Sequence, residues 1–464
     1  MLRDQQRCYI CKAPDHIRKV SPAEYEPEAL PVGPYHANVG DAAAAAKARR
    51  LKQQCLDEVV RLSGRNRGEF IEQMRSIVGK ARAYYADEIG MGDDALAEML
   101  LLDGCFVLVS LRGTEGPKQQ ITARSKKETE SSSSDGRRSS FSLGENDEEN
   151  QMAAAATTGI TMDSWHHFYV ARDLFLLENQ IPFVVVQKIY ELLVKDIPCA
   201  ERSVVSAVAA YVREVVGVYA KGAGMAAQPP AEHVDHLLHL CHIHLRPTIQ
   251  QRPSWSDDDD GKFSGGATVG RLLRVTQYRE LMVRFKKLDI TGSKAAPGVG
   301  SILDVTFRGG ALEIPRLDID GGTLRQMANL ILLEQGSPHV GLYFTAYCAF
   351  MAQVAGTAED VALLVERGII VHHLGCDGYV ADGFKKLCDG IIFEANDDTY
   401  NYLRPVYQAL EKHCRDRRRR LISWLRGHAN YPNPWILVGI VAIITLLCLI
   451  VQQLQHVTFR NHAN

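Results

Sequence analysis

Asp318-Ile-Asp320-Gly-Gly-Thr323 is the stretch of this chain that comes nearest to a known chemical motif. It follows an apolar segment and nearly spells the D-x-D-G-T of phosphatases that use an aspartate as nucleophile. Gly322 moves the threonine one place too far, and Pro315 interrupts the strand before it. A calcium loop also fails here, because it needs oxygen ligands at positions 1, 3 and 5 and a glutamate at 12. The competing expectation is a strand leaving the core, with Asp320 or Thr323 capping a helix that begins near Leu324. A second candidate is the row His233, His236, His239, His242 and His244. Spacing of three drifts around a helix, so two or three of these rings share a face. A metal could use them, but the expected state is a partly buried row between helices. Cys8-x-x-Cys11 with His16 offers part of a zinc site, and no second pair stands nearby to complete four ligands.

Other chemistry leaves no short signature. The chain has no G-x-x-x-x-G-K-[ST], no G-x-G-x-x-G between strand and helix, no H-E-x-x-H, no G-x-S-x-G and no kinase motif set. The reading from these residues is a non-enzymatic protein with no catalytic, cofactor-binding or metal site assigned. The alternative is an enzyme of unrecognised type, a hydrolase or phosphatase using Asp318 and Asp320, or a metal site in the histidine row.

The elements that would position these residues are mostly helical. Helical spacing predicts helices over Ala42–Leu62 (capped by Asp41), Phe70–Asp87, Asp94–Leu111 and Asp163–Leu193, the last broken at Asn179-Gln-Ile-Pro182. Further helices are expected at Ser203–Tyr219, His233–Leu245, Thr323–Glu334, Val340–Val354, Glu359–Val365, Val380–Phe393 and Tyr400–Arg426. Ile302–Phe307 and Leu312–Ile319 form a β-hairpin about Gly309-Gly310. The expected fold is therefore mainly α, a multi-helix body over residues 1–426 with one small hairpin.

Within that body, residues 113–159 are polar and low in complexity and read as a disordered insert. Arg137-Arg138-Ser139-Ser140 inside it resembles a basophilic kinase site at Ser140, or is a solvated linker. Residues 249–266 and 291–300 read as flexible loops. With 46% hydrophobic and 23% charged residues and a net charge of −2, the 464-residue chain has a globular composition, which argues against a nucleic-acid partner.

The C-terminal region differs from the rest. Trp435 to Val451 carries no charge, and the run extends to Leu454, long enough at about 1.5 Å per residue to cross ~30 Å of hydrocarbon. It is apolar on all sides, flanked by Tyr431 and Trp435, and set off by Pro432 and Pro434. The expected arrangement is a juxtamembrane hinge at 427–434, a transmembrane helix at 435–454 held by membrane lipid, and a lumenal or extracellular tail at 455–464. Arg415, Arg417–Arg420 and Arg426 precede the run and only Arg460 follows it, which places the body in the cytosol, at the plasma membrane or an endomembrane. The eleven scattered cysteines fit reduced, mostly buried thiols.

Asp173-Leu-Phe-Leu-Leu-Glu-Asn-Gln-Ile-Pro-Phe183 embeds polar residues in an apolar run. Glu178, Asn179 and Gln180 are expected to pair with backbone groups freed where a helix stops. Glu334-Gln335 stands in a similar setting, so the two corners are expected to meet. Together with Cys8–Pro14, Tyr25–His36, Asp103–Leu108, Leu312–Asp320, Asn329–Gln335 and Gly368–Ile370, in this order, the motif resembles the plant family named domain of unknown function 247. The sequence departs from the family pattern in the 113–159 insert and at Ala37, where a second histidine often follows the position of His36. The resemblance implies a plant protein without assigned biochemistry or catalytic residues to carry over. It implies a C-terminal anchor as well, and some grass members are implicated as pollen-side determinants of self-incompatibility. The function expected is recognition or signalling through protein partners beside a membrane.

Overall fold

The computed structural model describes residues 9–37, 42–120, 170, 172–195, 203–208, 212, 234–248, 272–290, 300–397, 400–429, 439 and 441–450. The helices introduced here are α1 (Asp15–Arg18), α2 (Ala42–Ser63), α3 (Arg67–Arg82), α4 (Asp93–Ser110), α5 (Phe183–Val194), α6 (Leu237–Leu245), α7 (Val275–Glu280), α8 (Gly321–Gly336), α9 (Tyr343–Val354), α10 (Ala358–Glu366), α11 (Asp377–Leu387) and α12 (Arg404–Ala429). A last apolar helix, α13, covers Val441–Ile450. The strands are β1 (Arg284–Leu288), β2 (Thr306–Arg308), β3 (Ala311–Pro315), β4 (Leu317–Ile319) and β5 (Ile370–His372).

The first half packs around α4. Its sequence is apolar on every face, and Leu96, Leu100, Leu101, Cys105, Phe106 and Leu108 are all buried. Such a helix must be surrounded, and α2, α3 and α5 surround it. By contrast, α2 buries one stripe, Ala48, Cys55, Leu56, Val59 and Leu62, as its spacing dictates. An Asn66–Glu69 capping box starts α3, with the Glu69 N–H donating to Asn66 Oδ1 at 3.0 Å. Gly104 has no side chain where a Cβ would come 2.5 Å from Ile189 Cδ1, so α5 can lie close against α4.

In the second half α8 is central, packing against α6, α9, α11 and β4. The expected hairpin is present as β2 and β3, antiparallel across Gly309 and Gly310, both at positive φ. The hairpin expectation nevertheless has to be corrected. β1 adds to β3 in parallel, and β4 pairs in parallel with β5 in a second small sheet. The fold is thus mainly helical with two small sheets, and one buried apolar cluster runs through both halves.

Other expectations shift. Helix α5 starts at Phe183, and the described residues before it turn rather than continue a long helix. A 3₁₀ turn at Pro338–Val340 and Gly341 at φ 95° delay α9 to Tyr343. Helix α11 stops at Leu387, short of Phe393. The first residues of the expected insert are ordered: residues 115–120 are helical, Thr114 is buried, and Lys118 pairs with Glu58 at 3.0 Å. Residues 121–169, with Ser140, lie outside the described residues, as do Cys8, Asp41, His233, 249–271 and 291–299. No disulfide joins the described cysteines; Cys55, Cys105, Cys241, Cys348 and Cys414 are buried, while Cys376 and Cys448 are exposed.

Of the expected membrane span, α13 is the described part, and its Val441, Ile443, Ile444, Leu446, Leu447, Leu449 and Ile450 are exposed. No single helix among the described residues is long and apolar enough to cross a membrane. The bent pair α9 and α10, at 102°, passes on length and composition. Phe344, Tyr347, Phe350, Val361 and Leu364 of that pair are buried in the protein core.

Candidate functional site

The polar corner Asp173–Gln180 grips the N-terminal segment, a strap that runs from Ile10 to His36. That strap carries Pro22, Pro27, Pro31 and Pro34 and builds little regular structure, so its N–H groups need partners elsewhere. Its start pairs with the end of α3, Ile10 N–H donating to Tyr84 O at 2.8 Å. Asp173 then accepts from the N–H groups of Glu28 (3.0 Å), Ala29 (2.7 Å) and Leu30 (3.0 Å). Asn179 accepts from Val32 N–H at 2.6 Å and donates to Leu30 O at 3.2 Å. Glu178 accepts from Ala13 N–H at 2.7 Å and from the Arg18 guanidinium, and the His36 ring lies 3.4 Å away. Gln180 turns the other way, donating to Leu174 O (2.7 Å) and Leu176 O (2.8 Å) and accepting from Leu238 N–H of α6 at 3.2 Å.

Two more helices complete the grip. From α4, Asp103 accepts from Gly33 N–H at 2.8 Å and pairs with Lys52 at 2.5 Å. From α8, Asn329 accepts from Leu177 N–H at 2.9 Å and donates to Glu24 O at 2.8 Å. Arg325 bonds to Glu26 O and pairs with Glu28 at 2.8 Å. Burial alone would raise the Glu178 carboxyl, but hydrogen bonds from His36, Ala13 and Arg18 hold it below the ordinary range. At Asp173 burial wins over its three N–H donors, and the carboxyl is pushed up. Charged acceptors of this kind make strong bonds. Their chemistry is spent on backbone, as expected for Glu178, Asn179 and Gln180, but most of the partners belong to the strap.

The histidine row is consumed in the same way. His236 caps α6 by accepting from His239 N–H at 3.3 Å, and His239 lies 3.4 Å from Asp235. Burial, with His239 beside it, pushes the His236 ring down to about 3. His242 pairs with Glu334 at 2.9 Å with both side chains fully buried. Glu334 also accepts from Phe344 N–H (2.8 Å), Thr345 N–H (2.8 Å) and the Thr345 hydroxyl (2.7 Å). Leu342, at the N-cap of α9, supplies no side-chain oxygen, so a glutamate from α8 caps that helix instead. The corners at Asn179 and Glu334 are thereby joined through α6, by Gln180 at one end and His242 at the other. Among the described residues no group of three His, Cys, Asp or Glu could hold a metal ion. Cys11 is pushed up to about 11 by burial, Asp87 and Glu178, which makes it an inert thiol.

Asp318 and Asp320 do not converge as a phosphatase pair would. Asp318 pairs with Arg316 at 2.8 Å on β4. Asp320 caps α8, accepting from Gly322 N–H, Thr323 N–H and the Thr323 hydroxyl, each at 2.8 Å. Burial works against its charge, but these donors hold the carboxyl below its ordinary value. The D-x-D-G-G-T stretch is thus a capping box that starts α8, as the competing expectation had it.

Sequence reasoning missed a cleft of about 540 Å³ between the strap and α11, floored by α8. Ile17, Val20 and Tyr25 form one wall, Leu324, Ala328 and Ile331 the floor, and Leu374, Leu387 and Ile391 the far side. Glu24, Asp382, Lys386 and Asp389 supply its charges. At the lip, Tyr379 of the lining is 65% exposed, and Ile392, which follows the lining residue Ile391, is 84% exposed. Gln335 holds that lip in place, accepting from Ile392 N–H at 2.9 Å and donating to Ile392 O at 3.2 Å. The lining comes from well-separated stretches of chain, none of which carries a recognisable motif.

UPF0481 protein At3g47200 of Arabidopsis thaliana is 24% identical over 469 residues, which cover 97% of this chain and 86% of that protein. No solved structure matches the chain significantly. Residues 10–449 match the family described as plant protein of unknown function, domain of unknown function 247. With nearly its whole length matched, the chain belongs to that plant family.

Proposed function

We propose that this protein is a non-enzymatic, membrane-anchored recognition protein whose cytosolic body works by binding other proteins. The cleft carries this reading: it is a concave, mostly apolar surface with the large side chain of Tyr379 in its lining, and that of Ile392 beside the lining residue Ile391, left in solvent. Of the candidate residues, Asp320 caps a helix, Asp318 pairs with Arg316 and His242 pairs with Glu334, while Asp173, Glu178 and Glu334 of the polar corners hold backbone N–H groups. Anchoring is supported by α13, whose side chains are apolar on every face, and by Arg417–Arg420 ahead of it in α12. Pollen self-incompatibility is the setting that the family resemblance supplies for such a tethered body.

The test compares the full-length protein with a chain ending at Asn430 in plant membranes. Full-length protein is expected to stay in the pellet after alkaline carbonate, and the shortened chain to be released. Protease added outside sealed, cytosol-side-out vesicles is expected to digest the body. Release of the full-length protein by carbonate, or a protected body, overturns the reading.

A further inference from the structure

We propose that the cleft between the strap and α11 docks a peptide segment of a partner protein, one with apolar anchor side chains next to a lysine or arginine. This rests on the recognition reading and adds the chemistry of the partner. Shape supplies the first argument. A cavity of about 540 Å³ is in the range that holds a few side chains or one small molecule. Tyr379 of the lining and Ile392, next in the chain to the lining residue Ile391, leave further apolar surface in solvent, at 65% and 84% exposure. A ligand that covers the floor and both lip residues is longer than the cavity, which favours a peptide over a small molecule.

Charge supplies the second argument. Three carboxylates, Glu24, Asp382 and Asp389, line the cleft against one ammonium, Lys386. Lys385, on the outer side of α11, reaches Asp382 at 3.1 Å, but both side chains are more than half exposed and such a pair is weak. Burial pushes the Glu24 carboxyl up, with Arg325 and Arg172 acting against that shift and Glu28 with it, so the exposed Asp382 and Asp389 carry most of the cleft's negative charge. The solvent side of the opening therefore keeps an acidic excess, which a cationic residue beside an apolar anchor would neutralise. Helix α8 and the strap are tied together by Asn329 and Arg325, so the floor and near wall form one preorganised surface.

The experiment displays random peptides of about 12 residues and selects them on the full-length protein in lipid nanodiscs. Selected peptides are then measured by fluorescence polarisation against the protein and two surface variants, Tyr379→Ala/Ile392→Ser and Asp382→Lys/Asp389→Lys. The expected result is a consensus of apolar residues beside Lys or Arg. Binding should weaken at least about 5-fold in each variant and fall with added salt. Far-UV circular dichroism of the variants should match that of the parent, because all four side chains are at the surface. Failure to enrich any peptide, an acidic consensus, or binding to either variant as tight as to the parent overturns the proposal. So does octylammonium chloride, if it binds the cleft while no peptide is enriched. Those failures leave the carbonate and protease results untouched, and loss of anchoring leaves peptide binding untouched, so the two readings fail separately.

Discussion

His242 Nε2 stands 2.9 Å from Glu334 Oε1 with neither side chain reaching solvent, and the same carboxylate caps α9. One glutamate therefore ties together three helices, α6, α8 and α9. Removing it leaves a buried ring and two helix-terminal N–H groups without their acceptor. Glu334→Ala is expected to cost about 3–5 kcal/mol, and Glu334→Gln less, because its amide oxygen still accepts. Urea unfolding of the variants checks this, and a loss below about 1 kcal/mol for the alanine variant would contradict it.

Acid should weaken the fold by way of His236. Its folded-state value, near 3, is far below the ordinary 6.5, so the unfolded chain binds a proton that the folded one refuses. The stability this contributes is complete above about pH 6.5 and is lost as pH falls toward 3, at up to ~1.4 kcal/mol per pH unit. Glu178 and Asp320, both held low, add losses of the same sign in more acid solution. His236→Asn keeps an acceptor suited to the α6 cap and has nothing to titrate. Unfolding measured from pH 7.5 to 4.5 should show a flatter slope in that variant than in the parent.

Gly33 is a position where only glycine fits. Its φ is +77°, and a Cβ would lie 2.4 Å from the carbonyl oxygen of Gln180. Gly33→Ala must strain the backbone and push the strap from the corner that holds it, at a cost of about 1–3 kcal/mol or more. Limited proteolysis should then cut between Tyr25 and His36 faster than in the parent. Unchanged cleavage with unchanged stability would count against the clamp.

Asp320 separates capping from catalysis. Asp320→Asn retains an oxygen for the Gly322 and Thr323 N–H groups, whereas Asp320→Ala removes it and should cost about 1–2 kcal/mol. A capping residue predicts near-parental stability for the asparagine variant. If Asp320→Asn instead abolished a phosphatase activity of the purified protein, the capping account would be incomplete.

Local signals in the chain announced much of this fold. Helical spacing placed a helix at Asp94–Leu111, where α4 lies, and Asp320 foretold the start of α8. Glu178, Asn179 and Gln180 were legible as a polar corner, yet the strap N–H groups that Asp173, Glu178 and Asn179 accept from were not. Those partners are backbone N–H groups more than 140 residues away, and a backbone amide leaves no mark in sequence. Strands β1 and β5 were missed for a related reason. Arg-Phe-Lys-Lys-Leu has three basic residues, Ile370–His372 is three residues long, and parallel pairing is decided by distant chain. The cleft was invisible because its walls meet only after α8 and α11 have packed.

The strap's bonds also impose a timetable on synthesis. Glu24 O receives its hydrogen bond from Asn329, 305 residues later. At a ribosomal pace of about 5–20 residues per second, the nascent segment waits roughly 15–60 s for that partner to be made. Until then the first wall of the cleft is held only by earlier partners such as Tyr84, Asp173 and Glu178 and lacks the α8 floor, and chaperones have that interval in which to hold it. Completion of the cleft is thus one of the last events in the birth of the molecule, although the strap is among the first parts to be translated.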